Sequence, residues 1–76
     1  MTTDPLVAAL IRLQGNESHT AFGKRLGIDG TYWSRIRDGK RNMGGFVLGM
    51  VLTVYPHLQE LVNDYMQQQA KRRAVR

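Results

Sequence analysis

Cysteine is absent from these 76 residues. Its absence excludes disulfides and removes the ligand on which most structural zinc sites depend. It also fits a reducing compartment, so the cytoplasm is the expected location. Long apolar runs are missing too. The longest stretch, Phe46 to Tyr55, is interrupted by Gly49 and Thr53, far short of the roughly 20 residues that a membrane span needs. The opening MTTDPLVAALIRLQG has no basic region, and Arg12 breaks its apolar run, so no signal peptide is expected. The chemistry of catalysis is also thin. His19 and His57 are the only imidazoles, and no acidic residues cluster around them. No phosphate-cradling glycine loop with lysine occurs, and no metal-ligand spacing. Neither an enzyme, nor a cofactor, nor a metal, nor a small-molecule substrate is expected.

What the chain does have is basic charge, at a net +5. The charge is clustered. Lys24 to Arg41 carries six basic and two acidic residues, and Lys71 to Arg76 carries four basic residues and no acidic one. The remainder is slightly acidic. Two basic clusters suggest a polyanionic partner, nucleic acid before an acidic membrane. Solvated surface charge is the plain alternative. A domain this short buries only about 60% of the surface of its unfolded chain. With disulfides and zinc removed, self-association is the remaining common source of extra stability.

The pattern predicts five helices and no sheet. Asp4 caps the first and Pro5 opens it. Leu6, Val7, Leu10 and Leu13 form its apolar stripe, and Gly15-Asn16 ends it. Ser18 caps a second helix running to about Leu26, without a full capping box, because Ala21 stands where an acidic residue would. Gly27 supplies a left-handed terminus. Asp29 caps a third helix to about Asp38, ended by Gly39. Lys40 to Gly45 reads as a loop. Phe46, Val47, Met50, Val51 and Val54 then read as a helix, with a strand as the alternative because the run is β-branched. Pro56 opens a last helix with Leu58, Leu61, Val62, Tyr65 and Met66 on one stripe. Beyond it QQQAKRRAVR loses the stripe and is expected to fray. Residues 1–70 therefore form one domain, and 71–76 a basic tail.

The stretch SHTAFGKRLGIDGTYWSRIRDGKR meets the requirements of two short helices packed at a steep angle. Phe22 and Leu26 face the partner helix, and Gly23 allows the backbones to approach. Gly27 makes the turn, Ile28 plugs it, and Trp33 and Ile36 face back. This is a helix-turn-helix arrangement. The stretch resembles the helix-turn-helix of the lambda-repressor-like family, the Cro/repressor and Xre-type bacterial and phage regulators. It aligns without gaps from Ser18 to Arg41. Gly23, Leu26, Gly27, Ile28, Ser34, Ile36, Gly39 and Lys40 match the residue types favoured there. The flanking helices fit the family's five-helix layout, up to about Tyr65.

The resemblance implies a double-stranded DNA operator as partner, with the third helix in the major groove. It assigns base reading to Gly30, Thr31, Tyr32, Ser34 and Arg35. Arg35 is the foremost reader, because its planar fork pairs a guanine edge with two bonds. Phosphate contacts fall to His19, Lys24, Arg25, Lys40, Arg41 and Asn42. Arg37 is expected to be a solvated charge or a further phosphate contact. A single helix reads few base pairs, so a homodimer on a palindrome is expected, joined through the last-helix stripe of Leu58, Leu61, Val62 and Tyr65. The implied activity is that of a Cro-like repressor, with activation or restriction-modification control as alternatives. The sequence departs from the pattern at Gly30, which has no side chain to read with, at Trp33, which is larger than the usual aliphatic plug, and at Asp29, an acid close to DNA. A different class of function, an antitoxin or anti-regulator that binds protein, would use that same last-helix stripe.

Overall fold

The computed structural model describes residues 4–74, and among these every regular element is helical. The helices are α1 (Pro5–Gln14), α2 (His19–Arg25), α3 (Gly30–Arg37), α4 (Gly45–Val54) and α5 (Gln59–Ala74). A single 3₁₀ turn, Pro56–Leu58, leads into α5. The β-branched run of α4 is therefore a helix, not a strand.

The expected start signals operate. The Asp4 carboxylate accepts from Leu6 N–H at 2.8 Å, and the Ser18 hydroxyl accepts from Ala21 N–H at 3.0 Å. Asp29 accepts from Thr31 N–H at 2.7 Å and from Tyr32 N–H at 3.4 Å. Such caps stabilise a helix by about 1 kcal/mol each. The stop of α2 is a Schellman motif: Ile28 N–H reaches the Gly23 carbonyl and Gly27 N–H reaches that of Lys24. The motif needs a left-handed residue, and Gly27 provides it with φ +73°.

One apolar core holds the helices together. Leu6, Leu10, Phe22, Leu26, Trp33, Val51 and Val62 are completely buried in it. Full burial of such side chains contributes roughly 1.5–3 kcal/mol each. Phe22 and Trp33, from α2 and α3, place their ring centroids 4.9 Å apart.

Three expectations are corrected. The apolar stripe of α1 continues through Leu6, Leu10 and Gln14, so the polar Gln14 takes the inward position and Leu13 stays 37% exposed. The last-helix stripe faces the chain's own core: Leu58, Val62 and Tyr65 are buried and Leu61 packs against them. Within one copy this face packs on α1 and α4, while Met66 of the same stripe stays 52% exposed. Finally, α5 does not lose helicity after Met66 but continues to Ala74, with no break at residue 70. Val75 and Arg76 lie outside the described residues.

Candidate nucleic-acid interface

Two glycines set how closely α3 rides on α2. A Cβ at Gly23 would lie 2.9 Å from the Ile28 carbonyl oxygen, against the turn. A Cβ at Gly30 would lie 2.8 Å from Thr20 N and 2.9 Å from Thr20 Cα. The first approach is the one the spacing anticipates. The second corrects the reading of Gly30. This residue points back into α2 and presents nothing outward, so it is a packing position rather than a base reader.

With Gly30, Trp33 and Ile36 turned inward, the remaining residues of α3 form an outward stripe. Thr31 and Arg35 are exposed and Ser34 is half-buried, at the i, i+3, i+4 spacing of one helical face. Tyr32 lies at the edge of the core, partly buried. The Arg41 guanidinium sits over its ring, 4.8 Å from the centroid. That contact folds the loop after α3 back towards the start of α3. The result is an open depression of about 270 Å³ lined by Asp29, Thr31, Tyr32, Arg35 and Arg41. Four of the expected contact residues thus converge on one patch. The carboxylate of Asp29 is there too, but it is held by the two backbone N–H groups it caps.

The loop itself is anchored from below. Met43 is buried, and its N–H donates to the Tyr65 hydroxyl at 2.8 Å. Lys40, Arg41 and Asn42, just ahead of this anchor, are all exposed. Tyr65 therefore serves the loop.

The remaining expected phosphate contacts divide. Lys24 is exposed. Arg25 forms an ion pair with Glu17, so its guanidinium is engaged on the protein. His19 is exposed, but its Nδ1 lies 3.0 Å from Gln14 Nε2. Arg37 is not a solvated charge: its Nη1 donates to Gln14 Oε1 at 2.8 Å. The same oxygen accepts from Trp33 Nε1 at 2.7 Å. Gln14 thereby links α1, α2 and α3, a role that sequence reading missed. Its signal was the four-residue spacing Leu6, Leu10, Gln14, which places a glutamine on the inward face.

Among the described residues no group of three or more His, Cys, Asp or Glu is placed to hold a metal ion. None of the described helices is long and apolar enough to cross a membrane. Compared with family models, curated proteins and solved structures, the chain matches none of them.

Proposed function

We propose that this chain is a sequence-specific regulator that binds double-stranded DNA through the outward stripe of α3. The observation that carries the reading is the convergence of Thr31, Tyr32, Arg35 and Arg41 on one exposed patch, beside a helix clamped to its neighbour by glycine contacts. An α-helix of this width enters the major groove, where hydrogen-bond patterns distinguish all four base pairs. Arg35 and Thr31 supply the groups suited to base edges. Lys40, Arg41 and Asn42 supply donors for the adjacent phosphates.

The resemblance to Cro-like and Xre-type regulators supports the same reading. It extends it to a repressor acting in the cytoplasm of a bacterium or phage-infected host, as a homodimer on a palindromic operator. Activation and restriction-modification control use the same interface and differ only in where the operator lies. A protein-binding antitoxin or anti-regulator is the second reading. Phe46, 66% exposed, is an apolar ring that such a partner could cover.

The test is selection of binding sites from random duplexes, followed by titration of the selected site against a scrambled one across a salt series. Preference for the selected site at physiological salt, with a palindromic consensus, supports operator recognition. Equal binding to both duplexes that vanishes with salt would sink it and favour the protein-partner reading.

A further inference from the structure

Gln14 is 3% exposed, yet every hydrogen-bonding position of its amide is occupied. Its oxygen accepts from Trp33 Nε1 and Arg37 Nη1, at 2.7 and 2.8 Å. Its nitrogen donates to the Glu17 carbonyl at 2.8 Å and lies 3.0 Å from His19 Nδ1. An indole N–H and a guanidinium only donate, and a backbone carbonyl only accepts. Three obligate partners therefore fix which way the amide points, without any hydrogen being seen. The fourth partner has no choice left. Gln14 can offer His19 only an N–H, so His19 Nδ1 must accept it. The ring proton then resides on Nε2.

Nε2 has no hydrogen-bond partner within the described part of the chain, and His19 is exposed. The next residue, Thr20, abuts Gly30 at the start of α3, beside Thr31. His19 is thus one residue away from the contact that α2 makes with the start of α3, the helix assigned to the major groove.

We propose that Gln14 is a positioning residue: it holds His19 as the neutral Nε2–H tautomer, so that this N–H is presented outward as a donor to a DNA phosphate. The phosphate half of this statement rests on the DNA-binding reading above; the tautomer half does not. Trp33 and Arg37 matter here because they occupy the Gln14 oxygen and so prevent the amide from turning over.

The test uses the full chain and a short random-sequence duplex at low salt, since a phosphate contact does not depend on sequence. Ring ¹⁵N shifts of His19 in the free protein should report a bare Nδ1 and a protonated Nε2. In Gln14→Glu the side chain still accepts from Trp33 and Arg37 but can no longer donate, so the tautomer should switch to Nδ1–H while Trp33 emission stays native. Gln14→Leu should weaken duplex binding by about tenfold, as should His19→Ala. The double variant should bind no worse than His19→Ala alone. A wild-type ring protonated at Nδ1, or a Gln14→Leu loss that persists in full without His19, would overturn the proposal. If Gln14→Leu does not fold, the Gln14→Glu ring shifts decide it. If the wild-type chain binds no duplex, the DNA reading and the phosphate half fail together, and the ring shifts still decide the tautomer half.

Discussion

The Tyr65 hydroxyl on α5 accepts a hydrogen bond from Met43 N–H at 2.8 Å, which ties the helix farthest along the chain to the loop that follows α3. Tyr65→Phe removes the acceptor and leaves a buried N–H unpaired, which costs about 1–3 kcal/mol. Chemical denaturation should register a loss of that size, and hydrogen exchange at the Met43 amide should accelerate more than exchange in the middle of α1. If Met43 exchange is unchanged, the anchor is not what holds the loop.

The glycines separate into those that fit and those that are merely tolerated. Gly30→Ala drives a methyl group into the Thr20 backbone, which no side-chain movement relieves. It should destabilise the fold by roughly 1–3 kcal/mol. Gly49, in the middle of α4, has nothing within 4 Å of its added Cβ. Gly49→Ala should raise stability by about 0.5–1 kcal/mol through helix propensity. Urea midpoints moving in opposite directions would bear out the geometry; two losses would contradict it at Gly49.

The proposed DNA reading gives Arg35 and Lys40 different kinds of contact. Arg35→Ala should cost about 1–3 kcal/mol of affinity for the selected site and relax preference at one base pair. Lys40→Ala should weaken binding to all duplexes alike and lower the salt slope by about one. Binding to a panel of single-base variants separates the two. A uniform loss for Arg35→Ala would reassign Arg35 to the backbone.

Arg25 is held by Glu17, with its side chain 51% exposed. An ion pair this open contributes less than about 1 kcal/mol to stability. Glu17→Gln removes an acid and frees Arg25, so duplex binding should tighten and the salt slope steepen, with little change in thermal stability. Unchanged binding would mean that Arg25 lies away from the phosphates.

The sequence made the helices legible because their signals are local. Asp4, Ser18 and Asp29 are caps, Gly27 is a terminus, and Phe22, Trp33 and Ile36 lie at helical spacing. The outward positions Thr31, Ser34 and Arg35 of α3 came from the resemblance and not from periodicity, which gave only the inward pair Trp33 and Ile36. What periodicity could not give is what a stripe packs against. Leu58, Val62 and Tyr65 form an apolar face in either case, and only the tertiary arrangement shows that α1 and α4 cover it. Gln14 was hidden by its chemistry, since a glutamine reads as surface until its partners are known. Gly30 was misread because a glycine carries no sign of direction; its reason is the nearby Thr20 backbone, ten residues earlier in the chain.

The inward residues of α3 are fixed by what they touch: Gly30 by Thr20, Trp33 by Phe22 and Gln14. The side chains of Thr31, Ser34 and Arg35 make no hydrogen bond or ion pair within the described residues. Changes at these three positions should therefore leave folding almost untouched. On the proposed DNA reading, a duplicated gene could drift there freely, exchanging one target for another while the scaffold persists. In evolutionary terms, a new preference lies only two or three surface substitutions away.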